Sequence, residues 1–159
     1  MLTIALSKGK LLEPTLKLFA RAGYTSEDLS LDSRRLVFHC PDQDTMLLIV
    51  RPSDVPTYVE AGAADLGITG KDVLAEQAER EVYELLDLGF GPCRMVFATI
   101  DGEDPAAEAL RRLGVMRVAT KSPKIAARYF ERTGRQAEIV EVKGSVELAP
   151  LTGLVEGIV

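Results

Sequence analysis

Tryptophan is absent from the 159 residues, histidine occurs once and cysteine twice. A single imidazole removes His-rich metal sites and nearly removes catalytic triads with a histidine base. That residue, His39, lies in the strand-like run Arg35-Leu-Val-Phe-His-Cys40 without an evident partner and is read as structural. Cys40 and Cys93 lack metal-ligand spacing and are read as buried free thiols. A basic surplus is also missing: 19 Lys and Arg stand against 24 Asp and Glu, a net charge of −5. Nucleic-acid binders meet phosphodiesters with excess cations, so a nucleic-acid partner is not expected. Any anionic ligand must instead be met by local groups. No apolar run reaches the ~18 residues of a membrane span, and the apolar run before Lys8 is too short for the core of a secretory signal. The expectation is a cytoplasmic protein without a membrane partner. Neither a Gly-x-x-x-x-Gly-Lys-Ser/Thr loop nor a Gly-x-Gly-x-x-Gly turn occurs.

What is present is ordinary globular material, 47% hydrophobic and 27% charged, enough for one good core or two small ones. Apolar runs alternate with segments of helical period. Strands are expected over residues 2–6, 35–40, 46–51, 65–68, 83–88, 94–100, 117–120 and 138–142. Helices are expected over residues 11–22, 54–63, 71–79, 106–113, 123–132 and 146–151. Gly23, Gly114 and Gly134 stand where helix C-caps belong, and Ser122-Pro123 reads as an N-cap followed by proline at the first helical position. Such alternation predicts an α/β fold with mostly parallel strands. The Gly- and Pro-rich stretch Asp87-Leu-Gly-Phe-Gly-Pro-Cys93 marks a break, giving a first α/β lobe over residues 1–90 and a second over 91–159. A cleft between two such lobes would lie beyond the carboxyl ends of their strands.

Four strand-to-helix junctions share one chemical character: Leu6-Ser-Lys-Gly-Lys10, Ile68-Thr-Gly-Lys-Asp72, Ala119-Thr-Lys-Ser-Pro-Lys124 and Val142-Lys-Gly-Ser145. Each sets a lysine and a hydroxyl residue, and three of them a glycine, where helix N-terminal amides point outward with partial positive charge. One junction of this kind is commonly solvated decoration. Four of them point to a ligand with several phosphates. Ser33-Arg-Arg35, ahead of a strand, adds guanidinium forks suited to phosphate oxygens, although a solvated strand end reads equally well from the residues alone. Arg51 and Asp54 are read as a structural pair at a helix start, and Arg94 is left without a role.

At this point the chain resembles the ATP phosphoribosyltransferases. The residues that carry the resemblance are Ala5-Leu-Ser-Lys-Gly-Lys10, Arg51-Pro-Ser-Asp-Val-Pro56, Gly62-Ala-Ala-Asp-Leu-Gly-Ile-Thr-Gly-Lys-Asp72, Arg117-Val-Ala-Thr-Lys121 and Lys143-Gly-Ser-Val-Glu-Leu-Ala-Pro150. Their joint occurrence in this order is far more specific than any one of them. The resemblance implies a two-lobed fold like type II periplasmic binding proteins, with a cleft between the lobes. It implies Mg²⁺-dependent transfer of a phosphoribosyl group from phosphoribosyl pyrophosphate to N1 of ATP, the first step of histidine biosynthesis. It also implies the short form of the enzyme, a homo-oligomer within a hetero-oligomer, whose regulatory subunit resembles histidyl-tRNA synthetase. Carried over residue by residue, Lys8, Gly9 and Lys10 form the first phosphate-contacting turn, with lysine at position 10 where relatives commonly have arginine. Arg34 reaches the pyrophosphate. Gly70, Lys71 and Asp72 lie near ATP, Lys121, Ser122 and Lys143 serve as substrate-binding residues, and Glu147 lies near the adenine amino group. Mg²⁺ is expected on the substrate, with no protein ligand assigned.

The alternative class is a non-catalytic small-molecule-binding module on the same scaffold, for which Gly62-Ala-Ala-Asp-Leu-Gly-Ile68 would serve equally. Four lysine-bearing junctions are more than a neutral solute would need. In the family, the segment after Pro-Leu-Thr-Gly153 leads into a loop for the ribose 5-phosphate. From that comparison residues 154–159 are expected to begin a strand returning to the first lobe, and the 159-residue stretch by itself is expected to be inactive in transfer.

Overall fold

The computed structural model describes residues 1–26, 33–102 and 104–159. Two compact units, Met1–Pro92 and Cys93–Val159, each carry their own sheet and core. The architecture is mixed α/β with parallel pairing at the centre of both sheets.

In the first unit the order runs β1 (Leu2–Ser7), α1 (Leu12–Arg21), β2 (Val37–Cys40), β3 (Thr45–Val50), α2 (Val55–Glu60), β4 (Leu66–Ile68) and α3 (Lys71–Glu76). The sheet order is β2-β3-β1-β4, with β2 antiparallel to β3 and the other pairs parallel. β1 is an inner strand, and Ile4 to Ser7 are buried in succession, as expected of a strand covered on both faces. β2 lies at the edge, and its residues alternate exposed and buried. Phe38 and Cys40 therefore enter the core while His39 faces solvent. α1 puts Leu12, Leu16 and Phe19 on one face against Ile4, Leu6, Leu47 and Ile49.

The second unit contains α4 (Pro105–Leu113), β5 (Met116–Thr120), α5 (Pro123–Thr133), β6 (Ala137–Glu141), α6 (Leu148–Leu151) and β7 (Gly157–Ile158), with sheet order β6-β5-β7, all parallel. Asp104 caps α4 by accepting the Ala107 N–H at 2.9 Å, with Pro105 opening the helix. Ser122 occupies the N-cap of α5 with Pro123 behind it. Gly23, Gly114 and Gly134 follow the last turns of α1, α4 and α5 with positive φ, at the expected caps. The core centres on Phe130, which meets Phe97 and Tyr129 edge-on at centroid distances of 5.4 and 5.0 Å. The Arg135 guanidinium lies within 5.5 Å of all three ring centroids.

Two expected strands do not form. Residues 83–88 carry no strand, and within 94–100 only Ala98 makes a bridge, antiparallel to Ile158. The pattern is apolar enough, but a strand needs a neighbouring ladder, and among the described residues the outer side of β4 has none. Tyr83, Leu85 and Leu86 are accordingly 91%, 75% and 73% exposed. Cys93 falls in this irregular stretch and is exposed, so only Cys40 fits the reading of a buried thiol, with its pKa raised by burial. Residues 157–158 pair with Val118 and Ala119 of β5, so the expected return to the first lobe is replaced by pairing inside the second unit. The helix expected over 146–151 is one turn, Leu148–Leu151, with Glu147 at its N-cap.

That pairing is locked by an ion pair absent from the sequence reading. Arg117 donates from Nε and Nη2 to Glu156 Oε1 at 3.1 and 2.5 Å, while Glu156 N–H donates to Arg117 O at 3.0 Å. The Arg117 side-chain hydrogen bond is the largest influence holding the Glu156 carboxyl below the usual carboxylate range. In the first unit the Glu81 N–H, and then Arg80, do the same for Glu60. Depressed folded-state values mean that both contributions are complete above the unfolded carboxyl pKa of ~4.3 and vanish as pH falls through the lower folded values. Thermal melts should therefore show stability falling below pH ~4.3. Glu156→Gln should be less stable than the parent at pH 7 and lose less on further acidification. Parallel pH curves for the two would remove Glu156 from this account.

Candidate phosphate-binding site

Three strands of the first sheet end at one edge, and each ends in a candidate turn. After β1 comes Lys8-Gly9-Lys10, after β3 Arg51-Pro-Ser-Asp54, and after β4 Thr69-Gly-Lys-Asp72. β2 runs the opposite way, so its beginning lies at that same edge; the Ile49 N–H donates to Leu36 O at 2.8 Å. Arg34, three residues before β2, is thereby brought to the rim that carries the lysine turns. The four strands span three gaps of about 4.8 Å, or about 14 Å, and Arg34 lies roughly two strand spacings from Lys8. A row of cations on that scale suits a ligand with more than one phosphate.

Lys8, Gly9 and Lys10 are exposed, while Ser7 before them is buried. The Lys8 N–H donates to Val50 O at 2.8 Å, and Gly9 O accepts the Leu12 N–H at 3.0 Å to start α1. Gly9 has φ +99°, which side-chain-bearing residues rarely adopt, and its α-carbon faces open space. The turn thus exposes backbone and two ammonium groups without a Cβ in front of them. Because Lys10 is exposed at this open turn, Lys10→Arg should leave pyrophosphate binding unchanged or improve it through the guanidinium fork. A titration that instead shows large weakening would mean the turn is shaped for lysine.

At the β4 turn, Gly70 caps α3 with extended backbone. A Cβ there would sit 2.1 Å from Asp72 Oδ1, so Gly70 lets the Asp72 carboxylate fold back over the cap. Lys71 is engaged by Glu84 at 2.9 Å, and that hydrogen bond raises its pKa. A phosphate recruiting Lys71 would compete with this carboxylate. Asp54 accepts a hydrogen bond from the Ser53 hydroxyl at 3.0 Å, and its N–H donates to Arg51 O at 2.9 Å. Among the described residues no ion pair joins Arg51 to Asp54, so the start of α2 is closed by backbone and serine rather than by the expected pair.

The second unit repeats the arrangement on two strands. β5 and β6 end together, with Thr120 opposite Glu141 and the Val142 N–H donating to Thr120 O at 2.9 Å. Lys121 and Ser122 follow β5, and Lys143, Gly144 and Ser145 follow β6. Lys121 and Lys143 are exposed, as is Glu147. The four junctions thus occur as two pairs, one pair at the carboxyl edge of each sheet. A separate concavity of about 360 Å³ runs along α1, past Glu13, Lys17 and Tyr24. It lies off the strand ends, and its Glu13 and Lys17 are bonded to each other at 2.6 Å, so it does not share the chemistry of the turns.

The family profile described as HisG, ATP phosphoribosyltransferase, matches residues 51–159. A curated ATP phosphoribosyltransferase of Syntrophotalea carbinolica is 49% identical over 158 residues, covering 99% of this chain and 71% of its own length. One from Pseudomonas syringae pv. syringae is 48% identical over 159 residues, covering 100% and 72%. A solved ATP phosphoribosyl transferase (HisG:HisZ) complex from Thermotoga maritima contains a similar chain at TM-score 0.75 and 36% identity, covering 99% of this chain and 72% of that one.

Proposed function

The chain belongs to the ATP phosphoribosyltransferase family, and from that premise we propose that it transfers the phosphoribosyl group of phosphoribosyl pyrophosphate to N1 of ATP, releasing pyrophosphate. The observation that carries this reading is the sheet edge at which Lys8-Gly9-Lys10, Thr69-Gly70-Lys71 and Arg34 are gathered by the strand order β2-β3-β1-β4. In the reaction the N1 lone pair forms a bond to the anomeric carbon, and the bond from that carbon to the pyrophosphate oxygen breaks with its electrons. N1 has no proton to lose, so no general base is required, and a site rich in Lys and Arg but poor in histidine is suited to it. The barrier is the departure of pyrophosphate, where fixed positive groups act most strongly. Lys8, Lys10 and Arg34 are assigned to that leaving group, with Gly9 opening the turn to it. Gly70, Lys71 and Asp72 are assigned to ATP, Lys121, Ser122 and Lys143 to substrate phosphates, and Glu147 to the adenine amino group.

The donors at these turns are lysine ammonium, hydroxyl and backbone N–H groups with the carboxylates of Asp54 and Asp72 beside them, and among the described residues no three His, Cys, Asp or Glu gather as a metal site. Mg²⁺ is assigned to the substrate phosphates, where it would neutralise charge on the leaving group. Each unit is read as one lobe of a type II periplasmic-binding-protein-like scaffold. Among the described residues no helix is long and apolar enough to cross a membrane, and the reading places the enzyme in the cytoplasm. Similarity to a chain of the Thermotoga complex supports a second, regulatory subunit resembling histidyl-tRNA synthetase.

The test is an assay of this chain in a version extended to the full length of its relatives, with ATP, phosphoribosyl pyrophosphate and Mg²⁺, with and without that regulatory subunit, following product absorbance and pyrophosphate release. Both should rise together. Stabilisation by amino acids or sugars alone, with no response to ATP or pyrophosphate, would favour the non-catalytic binding module.

A further inference from the structure

Buried polar side chains are few among the described residues: Ser7, Thr15, Thr45 and Thr120. Two of the four share one position. Ser7, 2% exposed, is the last residue of β1, and Thr120, fully buried, is the last of β5. Each is the end of an inner strand of its sheet, and each is followed by an exposed lysine, Lys8 or Lys121. Each hydroxyl is also used to hold the turn that follows. Ser7 Oγ donates to Ile68 O at 2.8 Å, just past the last β1–β4 pair, Leu6 with Ile68. This bond ties the Lys8-Gly9-Lys10 turn to the Thr69-Gly70-Lys71 turn across 61 residues of sequence. Thr69 Oγ1 continues the connection by donating to Pro52 O at 3.0 Å, and so reaches the turn after β3. In the second unit Thr120 Oγ1 accepts the Ser122 N–H at 3.0 Å, folding Lys121 and Ser122 back over the end of β5.

Resting on the function proposed above, we propose that Ser7 and Thr120 are positioning residues: buried hydroxyls that hold the two lysine-bearing turns in the geometry that receives phosphate. Neither hydroxyl is accessible enough to be a principal ligand contact. Their effect acts through the turns, by reducing the freedom those backbones would have to lose on binding. A strand-end hydroxyl that served only to satisfy a carbonyl or an amide would affect stability and leave affinity alone, which separates the two roles by experiment.

The experiment titrates the protein with inorganic pyrophosphate and with ATP by calorimetry, for the parent, Ser7→Ala, Ser7→Thr, Thr120→Val and Thr120→Ser, with thermal midpoints recorded in parallel. Ser7→Ala and Thr120→Val should each weaken at least one of the two ligands about 5- to 10-fold, the factor carried by one neutral hydrogen bond. The hydroxyl-retaining variants Ser7→Thr and Thr120→Ser should restore most of the affinity. Lowered midpoints with unchanged affinities in the Ala and Val variants would overturn the inference and leave the proposed function standing. Loss of affinity that the hydroxyl variants fail to restore would overturn it as well. A parent protein that binds neither pyrophosphate nor ATP would overturn the proposed function and this inference with it.

Discussion

In a version extended to the full length of its relatives, alanine at position 8 is expected to lower kcat/KM by about 10- to 100-fold, the worth of one charge-assisted hydrogen bond to phosphate when it is made mainly in the transition state. The fold should be untouched. The Lys8 side chain is exposed, and the structural bond at this position, from its N–H to Val50 O, belongs to the backbone and survives the substitution. Arg34→Ala is expected to give a loss of the same size, because the antiparallel course of β2 delivers that exposed arginine to the same edge. Arg34→Lys should recover only part of it, since an ammonium lacks the planar fork. The two positions lie roughly 10 Å apart across the sheet, but both are assigned to one pyrophosphate, so their effects in a double variant are expected not to add. Steady-state kinetics in both substrates, beside thermal melts, decide the matter. Unchanged kcat and KM in both single variants would remove Lys8 and Arg34 from the site.

The largest stability effect is expected at Phe130. Truncation to alanine should cost about 3–5 kcal/mol, because the ring is 2% exposed and fills the centre of the second unit's core. It also provides the edge-on partner of Phe97 and Tyr129 and one of three faces under the Arg135 guanidinium. For a unit of this size each kcal/mol moves the midpoint by about 4–8 °C, and total stability is itself only about 5–15 kcal/mol. Phe130→Ala should therefore melt Cys93–Val159 far below the parent, whereas Phe130→Leu, which retains most of the volume, should cost much less. Calorimetry would show this as a transition lost or shifted by tens of degrees. A midpoint unchanged in Phe130→Ala would mean that this core is not what holds the second unit.

Local chemistry made much of the protein legible from its residues. Ser122-Pro123 specifies a helix start, and glycines at 23, 114 and 134 specify helix ends, because caps depend on neighbours within a turn. Lysine, hydroxyl and glycine at a strand-to-helix junction specify a surface suited to anions for the same reason. The family too was legible, since its motifs are contiguous in the chain, and the family profile matches residues 51–159.

Pairing was not legible, because a strand is defined by a neighbour that may lie anywhere in the sequence. Residues 83–88 and 94–100 have strand composition, yet outside the Ala98 bridge they have no ladder, while Gly157-Ile158, within a segment expected to form a strand, takes β5 of the second unit as its partner. The opposite courses of β2 and β3, which bring Arg34 to the rim beside the lysine turns, follow from packing rather than from any motif. The bonds that join distant turns, Ser7 to Ile68 and Arg117 to Glu156, connect residues 61 and 39 positions apart. Sequence by itself determined which lysines, hydroxyls and glycines stand at the strand-to-helix junctions. Tertiary structure decided which of them share an edge, because hydrogen bonds between strands act over a few ångströms of space irrespective of the length of chain between them.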